Sequence, residues 1–411
     1  MRAVEGQWIP VARSDEVDTT PRAVRVGGRD FVAVRPSADA PATLVAAVCP
    51  HRLVPLDAAT VTGGRLRCAY HGWEFDTSGA CVRLPSLGDE ANIPPRSRLA
   101  PAPRTREEDG RLWALRSDLG PEPEPPAELS NEDPALLHAW HPVGLATEFG
   151  PEGMPVMLVG AQWTVRRTGA GLVADPEPYG LVERWGMAWL APLEPLTDLF
   201  DDPDAEDAGY VGAWLPPSRT RVHAGFVADN FLDVAHFPFV HRGTFGAGAD
   251  EIVPAADVQP EPGGFRSVQE QWFDNPEDPG VAAGLRPVRQ RRRSTYVYRA
   301  PFQLLLRLEE LDAGSVKTIL FLSQPESATS TRIYTKLLLH GVGGEAVPGP
   351  ETVAREVAFE EAVLAEDLAL QDLVRTTGLP LDMRTELHVR ADRLGVALRR
   401  ELARFVERAG S

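Results

Sequence analysis

Lysine is nearly missing from this 411-residue chain: Lys317 and Lys336 stand beside 40 arginines. Taken with the abundance of Ala and Pro, that skew reflects genome composition rather than chemistry. Cysteine is sparse too. Cys49, Cys68 and Cys81 form an odd, small set, which excludes a disulfide scaffold and suits a reducing compartment where thiols serve metals. No uncharged apolar run approaches the roughly 18 residues a membrane span needs. The start, MRAVEGQWIPVARSDEVD, has no basic stretch followed by an apolar one, so no secretory signal is expected. These absences predict a cytoplasmic chain with no membrane partner. The formal charge of -17 disfavours broad phosphate binding, and with it a nucleic-acid partner. Neither a Walker loop nor a dinucleotide fingerprint is present, so flavin or nicotinamide must sit on another protein. What is there is ordinary globular material, 43% hydrophobic and 25% charged, enough for two or three domains.

Residues 1–117 read as a β-rich domain, in which alternating runs such as AVRVGGRDFVAVR (23–35) and ATLVAAV (42–48) are separated by Gly, Pro and Asp. A Pro- and acid-rich stretch, 118–137, follows without a periodic apolar face and reads as a linker. Beyond it, part of the first domain recurs. Trp8-Ile-Pro10-Val11 reappears as Trp140-His-Pro142-Val143, Glu16 as Glu148, and Gly110-Arg-Leu-Trp113 as Gly186-Met-Ala-Trp189. Residues 138–195 are therefore expected to be a shortened, degenerate second copy, lacking the segment that holds every cysteine. From 196 to 411, strand candidates at 265–273, 294–300, 302–311, 316–324 and 332–340 give way to helical periodicity at 351–378 and 391–410. Gly378 is the expected helix stop, with Pro380 after it. Strands followed by helices predict an α+β domain.

The densest chemistry lies at 49–71. Cys49-Pro-His51 is followed, after sixteen intervening residues, by Cys68-Ala-Tyr-His71. Two Cys and two His could hold one tetrahedral zinc. Zinc spacing, however, usually pairs like ligands, whereas each loop here carries one thiolate and one imidazole. That suits a [2Fe-2S] cluster with two Cys on one iron and two His on the other. Gly72 permits a tight turn there, and Trp73 offers a wall against water.

CPHRLVPL (49–56) and CAYHGWEFDTSGACV (68–82) resemble the two cluster loops of the Rieske non-haem iron oxygenases, and 380–400 resembles the C-terminal segment of their bacterial single-polypeptide members. The resemblance implies an all-β Rieske domain followed by an α+β, helix-grip-like catalytic domain with an antiparallel sheet and a mononuclear Fe(II). A matching stretch exists: Asp229-Asn-Phe-Leu-Asp233-Val-Ala-His236-Phe-Pro-Phe-Val-His241. A facial iron site needs two His and one carboxylate, with positions left open. Five residues on an unbroken helix turn a side chain by about 140°, so Pro238 is expected to bend or end the helix and let His236 and His241 converge. Asp233, three residues before His236, is expected on the same helical face. It resembles the family's bridging aspartate, which joins a cluster histidine of a neighbouring subunit to an iron-bound histidine. Asp367 is the expected third ligand, with Glu361, Glu366 and Asp372 as competitors.

The resemblance further implies dioxygen as co-substrate and NAD(P)H acting only through a separate reductase, with or without a ferredoxin. It also implies a homotrimer and a small-molecule substrate that is hydroxylated or oxidatively demethylated. The rival reading is a Rieske electron carrier with an inactive C-terminal domain. Cys81, His138, His141, His223, His340 and His388 are expected to be structural. The Arg289–Arg293 run is read as a solvated face, with a donor-docking patch as the alternative.

Overall fold

The computed structural model describes residues 7–120, 127–275 and 278–411. Every paired strand among them is antiparallel. In the N-terminal part, Gly27 and Gly28, at φ 57° and 88°, turn the alternating run of 22–34 into a hairpin of Arg22–Val26 and Arg29–Val34. Thr43–Ala46 continues that sheet, and Trp8–Arg13 pairs with Arg111–Leu115, which pairs in turn with Thr105–Glu108. Between these two sheets the chain builds a third, ordered Thr60–Thr62, Arg65–Arg67, Glu74–Phe75 and Cys81–Arg83. It carries the cysteine loops.

Residues 141–191 follow the same plan without the third sheet. His141–Leu145 pairs with Met187–Ala191, and Met154–Leu158, Ala161–Thr168 and Gly171–Asp175 form the companion sheet. The likeness extends to details. Pro10 stands opposite Trp113 and Pro142 opposite Trp189, and each proline precedes a bulge. Ser14 N–H donates to Gly110 O and Ala146 N–H to Gly186 O, both at 2.9 Å. The small cores agree by position: Val17, Val26, Phe31 and Ala33 in one, Phe149, Leu158, Trp163 and Val165 in the other. Residues 47–104 of the first unit, with the metal loops, have only 176–179 opposite them in the second.

The C-terminal part is built on a sheet whose path runs Val211–Trp214, Ser330–His340, Ser315–Ser327, Gln303–Glu310, Arg289–Arg299, Gly264–Asp274 and Gln259–Glu261, with Ser218–Thr220 also pairing with Ser330–His340. Ile319, Leu337 and Leu339 on this sheet meet Val353 and Val357 of the long helix Pro350–Gln371. The C-terminal helix Arg393–Ala409 buries Leu398, Leu402 and Phe405. The Arg289–Arg293 run is not a free basic patch. On its strand Arg289, Arg291, Arg292 and Arg293 pair with Asp274, Asp312, Glu310 and Glu270.

Three sequence expectations need correcting. The long helix ends at Gln371 rather than Gly378, because Gln371 Nε2 turns inward to Asn230 Oδ1 (3.1 Å) and Gly378–Pro380 forms a strand with Glu128–Ser130. That pairing also makes the later part of the 118–137 stretch packed structure: Asn131 is buried and its side chain donates to Ser327 O and Ser330 O. Residues 121–126 of that stretch lie outside the described residues. Finally, the helix expected through 229–241 breaks earlier than Pro238. Ala224–Leu232 ends with Asp233 in extended geometry as its cap, and Phe237–Val240 is a separate short helix with Pro238 in its first turn.

The largest apolar cluster is continuous across the two parts of the chain. Cys49, Val54, Tyr70 and Trp73 from the cysteine loops share it with Phe226, Leu379, Leu394 and Leu398. The loop tips and the C-terminal domain are part of one core.

Candidate functional site

The two cysteine loops are copies of one backbone turn. Cys49 N–H donates to Val54 O and Leu53 N–H to Cys49 O; Cys68 N–H donates to Trp73 O and Gly72 N–H to Cys68 O, all between 2.9 and 3.1 Å. The fourth residue after each cysteine adopts positive φ, 53° at Leu53 and 64° at Gly72. A Cβ on Gly72 would collide with the ring of Phe239, so glycine there allows both the turn and the close approach of the C-terminal domain.

All four expected cluster donors are buried, and the turns bring them together in like pairs. The Cys49 and Cys68 thiols are near enough to perturb each other's ionisation. His51 and His71 face each other with Nδ1 atoms 3.1 Å apart. Two nitrogens on one metal at about 2.1 Å each lie roughly 3.0–3.4 Å apart, depending on the angle at the metal. Among the described residues the two thiols and two imidazoles do not converge on one point; a sulfur pair and a nitrogen pair suit two metals and not a single zinc. Trp73 stacks on His51 at 4.4 Å and 11°. Burial pushes the His51 imidazole down to about 4 against the opposing pull of Asp392, so the ring is a neutral donor at pH 7.

Each imidazole has a carboxylate behind it. His71 Nε2–H donates to Asp233 Oδ2 at 2.6 Å, and His51 Nε2–H to Asp392 Oδ1 at 2.9 Å. Such outer partners fix ring orientation and tautomer. Burial alone would raise both carboxyls, but the histidine rings and Arg52 hold them below the usual carboxylate range. The family resemblance implies that Asp233 faces a cluster histidine, and in this structure that histidine is His71.

Some 160 residues along the chain, the break at Asp233 and the short helix after it bring the expected iron donors together. His236 begins Phe237–Val240 and His241 ends it. Their Nε2 atoms lie 3.0 Å apart, and Asp367 Oδ1, from the long helix, is 3.4 Å from one and 3.5 Å from the other. Among the described residues this is the one group of three metal-capable donors within 4.8 Å of one another. Cis donors at about 2.1 Å from a metal stand about 3.0 Å apart, so the triangle is close to a facial triad. Asp367 Oδ1 is buried and unpartnered by any hydrogen bond, a costly state that a cation would relieve. Burial lowers the His241 pKa, keeping that ring neutral too.

Among the described residues, none of the competitors Glu361, Glu366 and Asp372 joins this triangle. Glu366 stands behind His241, with Oε2 3.1 Å from Nδ1, and it also accepts from Gly243 N–H and Thr244 Oγ1–H at 2.7 Å each. It orients the ligand. Glu366→Gln is expected to weaken iron binding about 10–100-fold with the cluster spectrum unchanged, as read by competition with a chelator. The second half of the expected bridge is absent as a hydrogen bond: Asp233 Oδ1 accepts from Ala235 N–H at 2.7 Å, and the buried His236 Nδ1 has no partner. Tyr70 fills the space between the two centres. Its ring lies 3.9 Å from that of His71 and 5.6 Å from that of His236.

Sequence reasoning missed Asp392, Tyr70 and a buried ion cluster behind the loops. Arg52, next to His51, pairs with Asp229 at 2.9 Å and Asp392 at 3.4 Å, while Arg399 pairs with Asp229 at 2.7 Å and Glu386 at 2.7 Å. The one available signal was an arginine beside a cluster ligand. The histidines expected to be structural behave so: His141 donates to Leu136 O, His223 caps Ala224–Leu232, and His340 meets Gly209 O. Cys81 Sγ–H donates to Arg83 O.

Comparison with known proteins covers both centres. Residues 7–95 match the Rieske [2Fe-2S] domain, and residues 220–408 match the vanillate O-demethylase oxygenase C-terminal domain. The unit at 141–191 falls in neither. The chain is 27% identical over 281 residues to the probable methylxanthine N7-demethylase NdmC of Pseudomonas sp. (strain TJI-51), which is 66% of this chain and 95% of that protein. It is 41% identical over 73 residues to Protein TIC 55, chloroplastic, of Pisum sativum; there the chain spans only 13% of the relative's length and 18% of its own. Among solved structures, a QL mutant of NdmA from Pseudomonas putida CBB5 with theobromine is 19% identical, over 97% of this chain and 90% of that one, with a TM-score of 0.46. The two matched domains stand in the order that the paired Cys/His loops and the downstream donors require of such an oxidoreductase. The chain belongs to the Rieske non-haem iron oxygenases.

Proposed function

We propose that this chain is the oxygenase component of a system that hydroxylates or oxidatively demethylates a small aromatic or heterocyclic substrate, with dioxygen as co-substrate. In this reading Cys49, Cys68, His51 and His71 hold the cluster, and His236, His241 and Asp367 hold Fe(II). The observation that carries it is the triangle of buried donors formed by the last three, with its unpartnered carboxylate oxygen. Iron bound there would supply the redox chemistry that dioxygen activation needs, with positions left open beside the three ligands.

The chain's own residues do the rest. Asp392 and Asp233 fix the two cluster imidazoles, Glu366 fixes His241, Trp73 covers His51, and Tyr70 fills the ground between the centres. The sequence carries no Walker loop or dinucleotide fingerprint, which fits electron supply by a separate reductase, with or without a ferredoxin. The domain division that accompanies this reading is a cluster domain at 1–117, a catalytic domain at 196–411, and between them a degenerate Rieske-like copy at 138–195. The copy is supported by the matched bulges and cores described above.

The rival electron carrier differs in metal content. The oxygenase reading expects three irons per chain and substrate-dependent oxygen uptake with a generic reductase. Two irons per chain in fully loaded protein, with no uptake across demethylation and hydroxylation substrates, would leave the carrier.

A further inference from the structure

The face of the catalytic sheet that looks at the long helix is not closed throughout. On Gln303–Glu310, Leu304 is fully buried, whereas Leu306 and Leu308, farther along the same face, are half-buried. Both have a paired strand on either side, and Val353 and Val357 of Pro350–Gln371 lie over them. Exposure in such a place means a cleft between sheet and helix. One end of it is at the triad. Phe245 stacks on His241 at 4.9 Å and 26°, and it faces Phe359 of the long helix at 6.4 Å. These two rings are 40% and 38% exposed, so their faces are open to a ligand. Lys317 Nζ, from the sheet, lies 5.2 Å from the centre of the Phe359 ring. The helix makes the same connection. Glu356, Glu360 and Asp367 are spaced by four and seven residues, which puts them on one face, with Glu360 about 10.5 Å along the axis from Asp367.

The far end of the cleft is charged. Lys317 Nζ lies 2.6 Å from Glu356 and 3.0 Å from Glu360. Burial alone would lower the lysine's pKa, but the two glutamates hold it above the ordinary value, so it is a cation there. Beside it, Glu310 Oε1 accepts from Arg292 Nε–H at 2.8 Å, and the buried Oε2 has no partner among the described residues. The neighbouring Asp278 and Arg286 pair with each other and add nothing net. Two cations thus stand among three carboxylates, which leaves one net negative charge and an acceptor oxygen without a donor.

We infer that the substrate is an aromatic or heterocyclic amine without a carboxylate: its ring lies along Phe245 and Phe359, the carbon to be oxidised reaches the triad, and its protonated nitrogen donates to the carboxylates around Lys317. The inference rests on the function proposed above and deepens it by naming the substrate class. Two effects compete at the charged end. The Lys317 ammonium has one N–H beyond the two given to Glu356 and Glu360, and that donor attracts an acid. An acid arriving there also meets three carboxylates at similar range, and at equal distance like charges repel as strongly as unlike ones attract. Three against two, repulsion wins. For a protonated amine every sign is reversed, and a neutral amide falls between.

The test uses the holoprotein and three probes of one shape: para-methoxybenzylamine, a cation; para-methoxybenzamide, neutral; and para-methoxybenzoate, an anion. Equilibrium dialysis without dioxygen gives the three dissociation constants. The amine is expected to bind at least about tenfold more tightly than the benzoate, with the amide between them. Glu360→Gln leaves the charged end neutral and should erase this order. Glu356→Gln combined with Glu360→Gln leaves Lys317 uncompensated and should invert it. A merely structural ion pair would change stability and leave the order alone. Iron content and cluster absorption equal to the wild type show that each variant has folded; should the double variant not accumulate, the single one decides. Benzoate bound most tightly by the wild type, an order unchanged in the variants, or no binding of any probe would overturn the inference. The functional reading fails separately: it falls if fully loaded protein holds two irons per chain and takes up no oxygen, whatever the order of binding.

Discussion

His236→Ala is expected to hold two irons per chain instead of three and to lose substrate-dependent oxygen uptake down to the assay background, with its Rieske absorption and EPR signals unchanged. The loss should exceed the 10–100-fold that removal of an outer partner such as Glu366 costs, because a donor itself is gone. Two donors, His241 Nε2 and Asp367 Oδ1, would remain 3.5 Å apart, too few for a facial site. The cluster should survive because its own donors, their turns and their carboxylate partners do not use the His236 ring. The nearest contact is Tyr70, and that is ring to ring at 5.6 Å. Metal analysis and absorption spectra of the purified variant check this. Disappearance of the cluster together with the activity would mean that the two centres are not separate sites.

The sites were legible because their donors are close in sequence. Cys49 to His71 and Asp229 to His241 are each a short motif, and only Asp367 had to be chosen among neighbouring acids of a helix. Strand positions were also readable, since period-2 alternation at 264–274 and 330–340 is strong. The missed residues share a different property: their partners lie far along the chain. His51 and Asp392 are 341 positions apart, and nothing near either one announces the other. The end of the long helix was misplaced for the same reason. Gly378 has the chemistry of a helix stop, but Gln371 is held by Asn230 and Gly378 is claimed by a strand from residues 128–130; tertiary partners overrode the local signal. Asp233 and His236, placed on one helical face by their spacing, are separated by a break that the sequence does not mark. The docking of the loop tips on the C-terminal domain was the furthest from reach. It depends on which surface the loop tips meet, and motif spacing carries no information on that.

The buried ions that secure this joint should be the costliest residues to disturb after the metal ligands. Arg399, 1% exposed, spans Asp229 (2.7 and 3.0 Å) and Glu386 (2.7 Å). Arg399→Met keeps much of the side chain's volume but strands two carboxylates in the core, with Arg52 as the one guanidinium left among Asp229, Glu386 and Asp392. Breaking a buried pair in this way costs about 3–5 kcal/mol. The loss should depend on pH, and its sign can be worked out. In the wild type, burial raises Glu386 even against the pull of Arg399 and Arg52. Removing Arg399 takes away the larger of those two pulls, so the folded-state pKa climbs further above the unfolded value of about 4.3. A carboxyl raised in the folded state binds its proton more tightly folded than unfolded, so its penalty is absent below about pH 4 and grows as pH rises through the folded pKa. The destabilisation of Arg399→Met should therefore be smaller at pH 5 than at pH 7.5. The wild type should run the other way: His141 and His223, which burial pushes down to about 4 and about 3, bind protons more readily unfolded, so stability falls as pH drops below about 6.5. Denaturant titrations of both proteins at the two pH values give the four numbers needed. A penalty equal at both pH values would mean that the stranded carboxylates are hydrated, and that the joint between the cluster loops and the C-terminal domain is open to water.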